Sequence, residues 1–173
     1  MKSRLTFWTI YLFVIIFIYL GSHSPTLKKS EVGITQSTIY LIKQFEGLRH
    51  TAYDDGFGNM TIGVGHLIKA SEPHLHHVTL KMDEIQHLLK QDLEPCGAFL
   101  KAGVGTPLNQ PQFDALMSVC FNIGLDKFKD SKIVRYLNQG DVQKAGDAIL
   151  NWNKPSALEA RRKQERNLFL SKI

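Results

Sequence analysis

Cysteine is scarce in this chain: Cys96 and Cys120 are the two among 173 residues. Two thiols make neither the disulfide framework of a small secreted scaffold nor the Cys-x-x-Cys ligand pairs of a structural zinc site. They are able to pair in an oxidising compartment. The expectation is nonetheless that both stay reduced, with Cys120 on a core-facing stripe. The sequence also lacks a phosphate-cradling GxxxxGK[ST] loop, a G-x-G-x-x-G dinucleotide turn, an internal repeat and any metal-ligand set at recognisable spacing, which removes the corresponding cofactor and repeat classes. No block of a single charge occurs either. The 21 Lys and Arg against 16 Asp and Glu give a net charge of +5, dispersed along the chain. That balance suits approach to anionic polymers or membranes, and without a recognition fold it does not point to nucleic acid.

One long apolar run is present. Lys2 and Arg4 precede Leu5–Leu20, which carries no charge. The run is shorter than the roughly 20 residues of a comfortable membrane span and longer than the 7–15 of a signal-peptide core. Ser22-His23-Ser24 is followed by Pro25, and cleavage after Gly21 would put Tyr19 where a small residue is required. Residues 1–21 therefore read as a hydrophobic helix serving as an uncleaved signal anchor, with the basic flank in the cytoplasm. Residues 22–33, SHSPTLKKSEVG, read as a polar linker. The remaining 34–173 has the length of one domain, and the chain's 43% hydrophobic content is enough for a core.

The chemistry concentrates in Phe45–His66, FEGLRHTAYDDGFGNMTIGVGH. Ile39, Ile42 and Phe45 recur at helical spacing after the cap candidates Thr35 and Ser37, and Gly47 supplies a stop. Glu46 then falls on the last turn. There the negative end of the helix dipole and apolar neighbours such as Leu48 both disfavour an ionised carboxylate, as a general acid needs. Asp54, Asp55, Gly56, Gly58 and Asn59 form a turn, and Thr61–Gly65 alternates as a short strand does. A carboxylate in that turn stays hydrated and hydrogen-bonded to backbone donors. Two carboxylates in opposed environments divide acid and base roles. Taken singly, a Glu at a helix end and an Asp beside Gly are ordinary structural residues.

Together, FEGLR, AYDDGFGN and TIGVGH resemble the active-site segment of phage-type lysozymes, the endolysins of glycoside hydrolase family 24. Leu108-Asn109-Gln110 followed by QFDALMSVCFNIG resembles that family's second motif. The resemblance runs from about Ile34 to the C-terminus. It implies an α+β fold with a small antiparallel sheet lobe and a larger helical lobe, and cleavage of peptidoglycan with inversion, without cofactor or metal. By position it assigns Glu46 as general acid, Asp55 as the carboxylate that orients or activates water, and Thr61 as the hydroxyl beside that water, with Asp54 a decoy. It further implies a structural His66–Asp92 ion pair, an arginine, Arg161 or in the other register Arg162, that reaches Glu46 and favours its ionised form, and cleft-wall roles for Leu67, Asn122 and Ser131. Trp152 lies on an apolar stripe and reads as core. N-termini of this kind resemble signal-arrest-release anchors, which implies attachment to the inner membrane through residues 5–20 with the catalytic domain in the periplasm. A monomer suffices.

Further along, His74, His76 and His77 lie in a stretch read as a loop from Lys69 to His77, and they lack the spacing of a metal site. Ile85, Leu88, Leu89 and Leu93 mark a helix that Pro95 is expected to end, unless it starts the next. Phe113, Leu116, Met117 and Cys120 mark a core helix after Asn109-Gln110-Pro111. Shorter helices are expected around Ile133, Val134 and Leu137, and from Ala145 to Trp152.

Overall fold

A computed structural model describes residues 32–56 and 58–171. The expected anchor, residues 1–21, and all but the last two residues of the linker lie outside the described residues. Among those described, no helix is long and apolar enough to cross a membrane.

Helix α1, Gln36–Glu46, starts where expected. Thr38 Oγ1 accepts the Thr35 N–H at 3.0 Å. The hydroxyls of Ser37 and Thr38 each donate to the Asp114 carboxylate at 2.5 Å, so a buried acid from the core helix clamps the start of α1. Ile39 and Ile42 face inward. Gly47 ends the helix with φ +75°, a left-handed value that glycine adopts without strain, and its N–H donates to the Lys43 carbonyl.

Three short strands follow: β1 Arg49–Asp54, β2 Met60–Gly63 and β3 His66–Leu67, antiparallel in the order β1-β2-β3. Tyr53 pairs with Thr61 and Ile62 with His66, and the β1–β2 register shifts between Arg49 and Tyr53. Residues 73–77 form a 3-10 turn, Pro73–His77, rather than an open loop, and His74, His76 and His77 all stay exposed.

The expected break at Pro95 does not occur. Helix α2 runs unbroken from Met82 to Ala102 with Pro95 inside it. An interior proline costs about 3 kcal/mol. Ile85, Leu89, Leu93 and Leu100 are each at most 2% exposed, and burying such side chains contributes about 1.5–3 kcal/mol apiece. The stripe outweighs the proline, which turns its ring to solvent.

Helix α3, Gln110–Ile123, is the centre of the body. Asn109 caps it, accepting the Gln112 N–H at 2.9 Å, and Phe113, Ala115, Leu116, Met117, Val119 and Cys120 are fully buried. Around it lie α4 Leu125–Lys129, α5 Lys132–Asn138, α6 Val142–Ile149 with a 3-10 turn Leu150–Trp152, a second turn Ser156–Leu158, and α7 Glu159–Leu170. Helix α7 packs along α3. Trp152 packs against the core.

The expectation of two reduced thiols is corrected by this packing. Cys96 of α2 and Cys120 of α3 form a disulfide, their Cα atoms 6.1 Å apart. Each lies on the buried stripe of its helix, and α2 and α3 turn those stripes towards each other. Helical periodicity places a thiol on a face but does not say which face it meets.

Candidate active site

Glu46 projects from the end of α1 into an open cavity of about 430 Å³. Gly65, Leu67, Asp92, Pro95, Asn122 and the Cys96–Cys120 disulfide contribute to its wall. The Glu46 side chain retains 21% exposure. One of its oxygens, Oε1, accepts from Arg161 Nη1 at 2.7 Å. The other, Oε2, faces Gly65, whose φ is +70°; a Cβ there would lie 3.9 Å from it. A side chain at Gly65 would be strained by that backbone conformation and would sit in van der Waals contact with this carboxylate oxygen. Arg161 is itself 7% exposed, with its guanidinium carbon 4.7 Å from the centre of the Phe45 ring, a cation–π contact. Of the two arginine registers, the structure selects Arg161.

Asp55 stands in the β1–β2 turn. Its carboxylate accepts the Asn59 N–H at 3.1 Å and the Asn59 side-chain amide at 3.0 Å, and its own N–H donates to the Asn59 carbonyl at 3.0 Å. Asp54 instead accepts the Gly56 N–H at 2.7 Å and caps the turn. Thr61, on β2, is 7% exposed and donates to the Tyr53 carbonyl at 3.2 Å, which leaves its lone pairs to accept. Asp55 and Thr61 stand on the β1–β2 hairpin, where Thr61 pairs with Leu67 of β3, and Leu67, Asn122 and Asp92 share the cavity wall with Glu46. Ser131 is elsewhere: it is buried as the cap of α5, accepting the Val134 N–H.

His66 joins the sheet to α2. Its Nδ1 lies 2.8 Å from Asp92 Oδ2, and its Nε2 lies 3.1 Å from Glu72 Oε2. The Asp92 carboxylate, helped by Glu72 and opposed by burial, holds the imidazole above its ordinary pKa of 6.5. Glu72 is held below its ordinary value, first by the Lys69 N–H and then by His66. Sequence reasoning found Asp92 and missed Glu72, whose one signal was its place six residues after His66. It also missed Ser118, and it named Glu165 without giving it a partner. Glu165 closes the RR-x-x-E pattern of Arg161, Arg162 and Glu165 that the resemblance marks, and spacings of three and four put it on both arginines of a helix. Ser118, 47 residues away, left no such signal. Among the described residues no group of three His, Cys, Asp or Glu is arranged to hold a metal ion.

With this geometry in hand, similarity to known proteins is specific. A family model described as Phage lysozyme matches residues 43–165. The endolysin of Salmonella phage P22 is 41% identical over 143 residues, covering 80% of this chain and 98% of that one. A SAR-endolysin of Escherichia phage Mu is 32% identical over 120 residues, covering 69% of this chain and 68% of that one. Among solved structures, the muramidase domain of SpmX from Asticaccaulis excentricus superposes with a TM-score of 0.72 at 37% identity, over 81% of this chain and 99% of that one. A variant of P22 lysozyme gives 0.73 at 39%, with the same coverage.

Proposed function

This chain belongs to the phage lysozyme family, and from that premise we propose that it is an endolysin acting as a muramidase. It hydrolyses the β-1,4 bond between N-acetylmuramic acid and N-acetylglucosamine of peptidoglycan. Glu46 gives its proton to the departing glycosidic oxygen. Water attacks the opposite face of the sugar, held by Asp55 and the accepting lone pairs of Thr61, and yields its proton to Asp55. Attack from that face inverts the anomeric centre. Side chains supply both proton transfers, so the scheme requires no metal or organic cofactor.

The observation that carries this reading is the setting of Glu46. One carboxylate oxygen is fixed by Arg161 and the other faces a glycine on the wall of an open cavity. Leu67 and Asn122 on the same wall serve as sugar contacts. The apolar run at residues 5–20 and the similarity to SAR-endolysins support attachment to the inner membrane, with the catalytic domain acting as a monomer on the wall from the periplasm. A membrane-disrupting role for the cationic C-terminal helix is disfavoured, because Arg161, Arg162, Glu165 and Phe169 of α7 are buried in the fold and not free to insert.

Mass spectrometry of purified peptidoglycan after digestion tests the reaction. Muropeptides ending in reducing N-acetylmuramic acid are expected. Anhydro-sugar ends would instead mean lytic transglycosylation, and no fragments would reject wall cleavage altogether.

A further inference from the structure

Behind Glu46 lies a charge cluster that the proposed reaction does not use. Glu165 and Arg162 are 0% exposed. Arg161 divides its guanidinium among three partners: Nη1 to Glu46 at 2.7 Å, Nε to Glu165 Oε1 at 2.9 Å, and Nη2 to the Ser118 carbonyl at 3.1 Å. Ser118 Oγ donates to the same Glu165 oxygen at 2.6 Å. The other oxygen, Oε2, accepts from Arg162 Nη1 at 2.5 Å. Arg162 completes its set with the Trp152 carbonyl at 2.9 Å and the side-chain oxygen of Asn122 on the cavity wall. Among the described residues around Glu46, α2 presents Asp92, which is engaged by His66 of β3, and α3 presents the neutral Ser118 and Asn122; in the proposed reaction the β1–β2 hairpin sets Asp55 across the cleaved bond, unchanged in every variant compared below.

Two guanidinium cations thus face two carboxylates. The cluster is neutral when Glu46 is ionised and carries one excess positive charge when Glu46 holds a proton. Without Glu165 those totals would become one and two, and protonation of Glu46 would be opposed by a second uncompensated cation at short range. Glu165 reaches neither solvent nor substrate, so its effect is exerted through Arg161 and Arg162.

We propose that Glu165 is a positioning residue and counter-charge: it aims Arg161 at Glu46 and cancels Arg162, and so sets the pH range over which Glu46 holds the proton it donates. This inference rests on the reading of Glu46 as the general acid.

The test compares the full chain with Glu165→Gln, Arg162→Gln and the double variant. Two quantities are read: the pH profile of kcat/KM on purified peptidoglycan, and the titration of the Glu46 carboxyl by 13C NMR without substrate. In Glu165→Gln the alkaline limb and the NMR midpoint should both move down by about one pH unit. In Arg162→Gln they should move up by a similar amount, and in the double variant return close to the parent, with KM within about twofold throughout. Glu165→Asp, which keeps the charge, should keep the parental midpoint. A merely structural role would lower melting temperatures without moving midpoints in opposite directions. Midpoints that stay put, or that move the same way in both single variants, would overturn the proposal. If Glu165→Gln fails to fold, Arg162→Gln and the double variant decide by the same criterion. Full activity of a Glu46→Gln protein would reject the acid assignment instead, while the NMR midpoints would still report on the counter-charge.

Discussion

At Glu46 two demands meet, a proton to give and a fixed direction in which to give it. The cavity-facing end of α1 puts the carboxyl where a leaving oxygen can reach it, and the 2.7 Å bond from Arg161 fixes its direction. The adjacent pair Asp54 and Asp55 shows how one position changes a carboxylate's task. Asp54 caps the turn through the Gly56 N–H, whereas Asp55 spans the turn to Asn59. Asp55→Asn is expected to lower turnover on the order of 100-fold or more while leaving the circular dichroism spectrum unchanged, because in the proposed reaction Asp55 is the base that takes the proton from water. Asp54→Asn should stay within a few-fold of the parent, since an amide oxygen still accepts the turn hydrogen bond. The reverse ranking would show that the two assignments are exchanged. The settings of Glu46 at a helix end and of Asp55 in a turn were legible from sequence because each depends on residues within a few positions of itself. The capping role of Ser131 was not, because a serine that caps a helix and one that faces a sugar look alike until the helix is placed.

Elements whose boundaries are set locally matched expectation: α1 between Thr35 and Gly47, α3 behind Asn109, and the hairpin around the Asp-Gly turn. Those whose behaviour depends on what lies opposite did not, namely α2 passing through Pro95 and the disulfide joining it to α3. A bond closing a loop across a separation of 24 residues is worth about 3 kcal/mol through the entropy of the unfolded chain. The Cys96→Ala/Cys120→Ala variant should therefore lose about 3 kcal/mol in urea unfolding, and the parent under reducing conditions should show a comparable loss. An unchanged urea midpoint would mean the bond is not formed in solution. The sheet is tied to α2 by His66, which titrates higher in the folded protein than its ordinary 6.5. Stability from this contact is fully present below about 6.5, the unfolded value, and is lost as pH rises through the higher folded one. Melting temperature should fall across that window in the parent and lose this component in His66→Gln. Equal slopes in the two proteins would remove His66 as the cause. Glu72 acts with the opposite sign, contributing above its ordinary 4.5 and losing that contribution as pH falls through its lower folded value.

For the molecule as a whole, the dispersed charge of +5 has a direct use in the proposed setting, where an anionic wall attracts a cationic enzyme without a dedicated binding module. The α+β architecture, with a three-stranded sheet beside a helical body, was anticipated through the family resemblance that the FEGLR, AYDDGFGN and TIGVGH segments carry. The charge cluster of Arg161, Arg162 and Glu165 was half legible, its helix-internal contacts by spacing and its contacts to Glu46 and Ser118 only by packing. All of these features serve one claim, that Glu46 supplies the proton for cleavage of a wall glycan. The measurement that bears on it most directly is turnover of purified peptidoglycan by the full chain beside its Glu46→Gln variant, with both proteins shown to be folded by their melting curves. The account predicts a loss of roughly 100-fold to 10,000-fold in the variant, the contribution of a general acid. Turnover within a few-fold of the parent would contradict it.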